Sequence, residues 1–191
     1  MHALLLSFGV IFVAELGDKS QLMAMSLASR FKPWPILAGI TVATAVVHAV
    51  SVLIGAVAGK SLPTDWITLI AGIAFLFFAA WTLRGDELTE DDESAAARAR
   101  WSAFVTALIV FFLAELGDKT MLATITLATR EGWFGTWLGS TIGMVAADAL
   151  AILVGRMLGR RLPERTIKYG AAVLFAICGL WLILEAVTEL T

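Results

Sequence analysis

Glu15-Leu16-Gly17-Asp18-Lys19-Ser20 lies in the middle of an apolar run from Ala3 to Arg30, and Glu115-Leu116-Gly117-Asp118-Lys119-Thr120 lies in the middle of another, from Ser102 to Arg130. Laying the chain on itself at an offset of 100 residues pairs positions 1–91 with 101–191 and gives 25 identities without a gap. Gly39, Gly55, Gly59, Leu62-Pro63 and Trp81 recur as Gly139, Gly155, Gly159, Leu162-Pro163 and Trp181. A match of that extent is an internal duplication and not a shared membrane composition. Each copy holds three apolar stretches: Ala3 to Arg30, Ile36 to Gly59 and Trp66 to Leu83 in the first, and Ser102 to Arg130, Phe134 to Gly159 and Thr166 to Val187 in the second.

The pattern predicts an all-α integral membrane protein of six transmembrane helices. A first three-helix repeat covers 1–83, an acidic linker 84–101, and a second three-helix repeat 102–191. Three is odd, so the second copy enters the bilayer from the opposite face and the repeats are inverted. Inverted repeats are typical of secondary transporters, whose sites lie at the repeat interface near the midplane.

Composition agrees. Of 191 residues, 59% are hydrophobic and 16% charged, with mean hydropathy +0.86, against about 45–50% and about 25% in soluble domains. Six spans of about 20 residues leave room only for short connections, so no separate soluble domain is expected. The single Cys178 excludes an intrachain disulfide and a cysteine metal cluster. A net charge of -2 offers no basic surface of the kind nucleic acid requires. The chain opens with no Lys or Arg before Lys19, unlike the basic start of a secretory signal, so the first run is expected to be retained. Ten of the 14 Lys and Arg residues fall in loops on one side, two (Lys60 and Arg130) on the other, and Lys19 and Lys119 within spans. Excess basic charge marks the cytoplasm, which places both termini outside and the linker inside. The linker's Asp86, Glu87, Glu90, Asp91, Asp92 and Glu93 read as a solvated connection; they are also able to collect divalent cations near a cytoplasmic entrance.

The chemistry is expected inside the spans, where an ionised group costs at least about 2.5–3.5 kcal/mol. At 1.5 Å per residue Glu15 lies about 22 Å from Arg30 and Asp18 about 18 Å, near the middle of a core roughly 30 Å thick. Glu and Asp stand at i and i+3 on one helix face, with Gln21 continuing that face and Ser20 or Thr120 one turn away. Gly17 and Gly117 permit a helix break or a close helix approach at that depth. Glu15, Asp18, Ser20, Gln21, Glu115, Asp118 and Thr120 then make an all-oxygen donor set suited to hard cations such as Ca2+, Mn2+ or Mg2+. Four carboxylates against Lys19 and Lys119 leave a charge of -2, which one divalent cation or two protons would neutralise, the minimum for an exchanger. Lys19 and Lys119 are expected to pair with carboxylates when no cation is bound. The plainer alternative is that the acids only pair with these lysines as a buried staple, but a staple needs no excess of acids. At matched positions His48 and Asp148 add two intramembrane polar groups, Asp148 as a candidate cation or proton relay and His48 as a group able to titrate near neutral pH or simply to pack.

The duplicated hexapeptides resemble the Glu-x-Gly-Asp-Lys-(Ser/Thr) signature of the Gdt family of calcium/manganese transporters, and both copies match at every signature position. Two three-span repeats and an acidic central loop extend the likeness over essentially the whole chain. The resemblance implies cation:proton antiport with Mn2+ and Ca2+ as transported substrates, no resident cofactor, and Glu15, Asp18, Ser20, Glu115, Asp118 and Thr120 as ligands. Gln21 departs from its copy, Met121, which implies an asymmetric shell. The short loops look like a bacterial member, for which Mn2+ export across the inner (plasma) membrane is the expected task. Two rivals are an exporter of another small substrate on a similar repeat, and a Mg2+-dependent intramembrane enzyme, which would need basic phosphate ligands near the acids that only Lys19 and Lys119 could supply.

Overall fold

The computed structural model describes residues 1–61, 64–84, 102–158 and 164–190. These form eight helices: α1 (His2–Glu15), α2 (Lys19–Arg30), α3 (Pro33–Ser61), α4 (Thr64–Arg84), α5 (Ala103–Glu115), α6 (Lys119–Arg130), α7 (Trp133–Leu158) and α8 (Glu164–Leu190), with no strand among the described residues. The acidic stretch Asp86 to Glu93 lies outside them. Among the described residues three helices are long and apolar enough to cross a membrane, over Pro33–Lys60, Trp66–Leu83 and Trp133–Arg156, and His2–Glu15, Ala103–Glu115 and Phe175–Thr188 are shorter apolar segments.

The first and fourth apolar runs, where the glycine of each motif admits either a break or a close helix approach, are each divided. Helix α1 stops at Glu15, Leu16 is extended with φ -62° and ψ 121°, and Asp18 starts α2 with φ -85° and ψ 166°. The second copy repeats this at Glu115, Leu116 and Asp118. Gly17 at φ 77° and Gly117 at φ 78° turn the chain between the half-helices. That left-handed conformation strains any side chain with a Cβ, so glycine is what the break requires.

Large apolar side chains lie on the outside as well as in the core, and many hydroxyls are packed within. Leu53, Val57, Leu113 and Leu184 are each more than 60% exposed, whereas Ser7, Thr44, Ser51, Thr68, Thr120, Thr124 and Ser140 are buried. A hydrocarbon solvent explains both halves of the pattern, because it accepts apolar side chains and drives hydroxyls inward to share hydrogen bonds. Ser51 and Thr124 accordingly donate to the carbonyls of Val47 and Thr120, each at 2.8 Å.

The two halves pack by exchanging corresponding elements. Helix α7 runs along α1 and then α2 in the same chain direction, with Gly139 against Leu4, Gly143 against Phe8 and Gly155 against Met25. Helix α3 does the same along α5 and α6, with Gly39 against Phe104 and Ala107, Gly55 against Ile125 and Ala128, and Gly59 against Thr129. Helices α3 and α7 cross where Thr44 donates to the Met144 sulfur, a pair separated by the repeat offset of 100. Helices α4 and α8 pack on each other through Phe75, Phe78 and Phe175, with ring centroids 5.7–6.1 Å apart.

Glycine is what lets these helices touch at the backbone. A Cβ on Gly139 would fall 2.2 Å from the Leu4 carbonyl oxygen, and one on Gly39 would fall 2.5 Å from that of Phe104. We expect Gly39→Leu and Gly139→Leu each to force the helices apart and cost at least about 1–3 kcal/mol, the range for overpacking. Gly9→Ala meets nothing within 4 Å and gains up to about 1 kcal/mol of helix propensity. Thermal unfolding in detergent should order the three accordingly, and an unshifted midpoint for Gly139→Leu would contradict this packing.

Candidate functional site

Each half of the site is built on a helix break. Glu15 is the last residue of α1, Asp18 occupies the N-cap position of α2, and Lys19 and Ser20 fill the first turn of α2. Ending one helix leaves carbonyls without intrahelical partners and starting the next leaves N–H groups, so a negative and a positive dipole end meet within three residues. Some of these groups are reused locally. Asp18 N–H donates to the Glu15 carbonyl at 3.1 Å, and Gly17 N–H donates to Gln21 Oε1 at 2.8 Å.

The carboxylates lie at the bottom of the bundle's polarity. Glu15 and Glu115 are fully buried, Asp18 is 2% exposed and Asp118 4%. Ser20 Oγ donates to Glu15 Oε1, and Thr120 Oγ1 donates to Glu115 Oε2 at 2.8 Å. The signature hydroxyl therefore holds the glutamate of its own motif across the break. Asp18 does not use its side chain to cap α2. Its Oδ1 instead accepts from Lys119 Nζ, in the other motif, at 2.7 Å. Lys19 Nζ reaches Asp118 Oδ1 at 3.7 Å. The ion pairs are thus crossed between the repeats, and Lys119 is the more deeply buried partner, with 4% side-chain exposure against 23% for Lys19.

Asp148 belongs to this cluster. It is fully buried on α7, close enough for its charge to act on Glu15 and Glu115, and Asp18 acts on it in turn. Five carboxyl groups therefore share a site with two ammonium groups, and an excess of three must be neutralised by a cation, by protons or by both. Glu15 Oε2, Glu115 Oε1 and both oxygens of Asp148 are buried without a hydrogen-bond partner. Among the described residues no three His, Cys, Asp or Glu side chains converge closely enough to hold a metal in this lysine-paired conformation.

The remaining sequence candidates separate. Gln21 is committed at both ends of its amide: Oε1 accepts from Gly17 and Nε2 donates to the Ala147 carbonyl at 2.9 Å, tying the first break to α7 beside Asp148. Its copy Met121 can only accept, and takes the Gly117 N–H on sulfur at 3.2 Å. His48 is fully buried on α3, and neither ring nitrogen has a hydrogen-bond partner. Sequence reasoning placed the lysines beside carboxylates but did not show that they cross. It missed the Ala147 carbonyl altogether, since a backbone acceptor has no residue-type signal.

A sequence profile described as "Divalent cation/proton antiporter GDT1" matches residues 3–90 and 103–190. The chain is 36% identical over 183 residues to a Vibrio cholerae protein named "Putative manganese exporter", covering 94% of this chain and 90% of that one. It is 31% identical to a GDT1-like protein of Synechocystis, covering 87% and 89%, and 29% identical to GDT1-like protein 3 of Arabidopsis thaliana, covering 91% and 67%. No solved structure matches. The paired signature carboxylates, the helix breaks that carry them and the profile match over both halves lead to one assignment: the chain belongs to the GDT1 family of divalent cation/proton antiporters, transporters and not enzymes.

Proposed function

We propose that the chain exports Mn2+ from the cytoplasm across the inner (plasma) membrane in exchange for protons, with Ca2+ as its second substrate, and that the cation binds between the two broken helices. In this reading the six apolar runs cross the bilayer as two inverted three-span repeats, with both termini outside. The parallel runs of α1–α2 with α7, and of α3 with α5–α6, support inversion. Helix α3 turns back from α2 through only Phe31 and Lys32, so α5, which follows α3 in direction, opposes α1. Mn2+ as cargo rests on the all-oxygen donors and on the name of the Vibrio cholerae relative.

The crossed Lys119–Asp18 and Lys19–Asp118 pairs carry the proposal. A lysine ammonium is a monovalent stand-in for a cation, and it belongs to the opposite repeat. A divalent ion entering between Asp18, Asp118, Glu15 and Glu115 displaces both ammoniums and changes how the repeats hold each other. Protons neutralise the same carboxyls when the metal has left, so cation and protons exclude each other at one set of oxygens. Rocking of the repeats about that set exposes it to one face and then the other.

Proteoliposomes with an imposed pH gradient and an internal pH reporter test this directly. Mn2+ movement should be tied to opposite proton movement, and metal flux without a proton signal would remove the exchange. Glu15→Ala and Asp118→Ala should lower flux by at least about 100-fold, since a carboxylate that touches the cation counts for more than the 10–100-fold of a group that only orients a ligand, while both variants still insert. Normal flux in either would refute the site.

Lys119→Ala removes the tighter ammonium competitor. The concentration of Mn2+ giving half-maximal flux should fall together with the maximal rate, because the metal binds more easily and leaves with less help. Lys19→Ala should show the same direction with a smaller effect, following its longer and more exposed pair. A rise in the half-maximal concentration for Lys119→Ala would show that the lysine does not compete with the cation.

A further inference from the structure

The two half-sites are unequal in donor chemistry, and the inequality falls at positions level with the helix breaks. Along α3, Gly39 touches α5 at Phe104 and Ala107, and Gly55 touches α6 at Ile125 and Ala128. His48 lies nine residues after Gly39 and seven before Gly55. A straight helix rising about 1.5 Å per residue brings it level with Leu116 to Asp118, the break of the second motif. Along α7, Gly143 touches Phe8 and Gly155 touches Met25, which brings Asp148 level with the break at Leu16 to Asp18. The Gln21 bond to the Ala147 carbonyl fixes that alignment directly. Level with the first break are therefore a carboxylate and an amide, Asp148 and Gln21, and the charge of Asp148 reaches Glu115 as well. Level with the second are an imidazole and a thioether, His48 and Met121.

His48 is not explained by packing alone. It has no exposed surface, and both ring nitrogens are without a hydrogen-bond partner among the residues around it. Burying a neutral imidazole with neither donor nor acceptor satisfied costs free energy that a Leu or Phe at the same place would not. Such a group is retained without penalty where it acts as a ligand. An all-oxygen set suits Ca2+, Mg2+ and Mn2+ alike, whereas an added imidazole nitrogen favours the transition metal over Ca2+, which is held by oxygen ligands.

We propose that His48 supplies a nitrogen donor to the cation held at the second break, making this half-site selective for Mn2+ over Ca2+, while the first half-site, with Asp148 beside Glu15 and Asp18, stays all-oxygen. This rests on the cation reading above and adds to it the residue that discriminates between the two metals. Met121, whose sulfur already faces the Gly117 N–H, keeps a hard amide oxygen out of the same half-site.

Pulsed EPR of Mn2+ bound to the purified chain reads the coordination independently of transport. The wild-type spectrum should carry the nitrogen-14 coupling of a bound imidazole, which His48→Gln removes and His2→Gln, at the only other histidine, leaves in place. No such coupling in the wild type, or its persistence in His48→Gln, overturns the assignment. In proteoliposomes, His48→Asp gives the second repeat the carboxylate that the first meets in Asp148, and the ratio of Mn2+ to Ca2+ flux should fall roughly tenfold, the scale of losing one tuned ligand contact. An unchanged ratio in both His48→Asp and His48→Gln overturns the selectivity. A wild-type chain that binds Mn2+ through His48 yet moves neither metal would defeat the transport reading while leaving this one standing.

Discussion

The constraint on which the rest of this structure depends is the cost of keeping charge inside an apolar bundle. Asp18 and Lys119 are each less than 5% exposed, and they come from opposite halves of the chain. Each lysine sits next in sequence to its own aspartate and reaches across to that of the other repeat, and Glu15 and Asp118 add their charges around Lys119. Removing one partner of such a pair leaves an uncompensated buried charge, the most expensive outcome available to it. The two repeats are thus held in register by electrostatics that neither would possess alone, and the glycine contacts bring the helices close enough for the lysines to span the gap.

The helix breaks follow from the same requirement. A continuous α-helix through residues 15–20 would spend every main-chain group on itself. Stopping at Glu15 and restarting at Lys19 frees carbonyls and N–H groups at the depth where the carboxylates lie. Ser20 and Thr120 then reach back over the break to their own glutamates. That is the physical sense of a hydroxyl at the sixth position of each motif: it is the first side chain of the new half-helix able to bond the last one of the old.

Much of this is legible in the chain itself. The offset of 100 residues gives the duplication, and the charge count inside the apolar runs gives the candidate site. Gly17 and Gly117 admitted either a break or a close approach, and only backbone torsions decide, since glycine serves both. Gln21 shares a helical face with the acids by spacing, yet its amide spans Gly17 and Ala147, because the break rotates α2 away from the ideal helix that the spacing assumed. The crossing of the lysines was not readable, since spacing describes neighbours on one helix and says nothing of which helix stands opposite. His48 and Asp148 were visible as a matched pair, but their level relative to the breaks emerges only from where the glycines of α3 and α7 touch.

Symmetry in the backbone and asymmetry in the side chains do different things. Two identical half-sites related by exchange of the repeats would give the two orientations of a carrier nearly equal free energy. Here Gln21 joins the first break to α7 through two hydrogen bonds, one of them to a buried carbonyl. At the matching position of the second break Met121 offers a sulfur acceptor in place of the amide, and sulfur is a weak one. The first half-site is therefore tied to α7 through an amide, whereas the second is tied to its surroundings through the Lys119–Asp18 pair and the glycine contacts of α3. The duplicated fold thus keeps two equivalent frameworks while Gln21 and Met121 give the two breaks different partners.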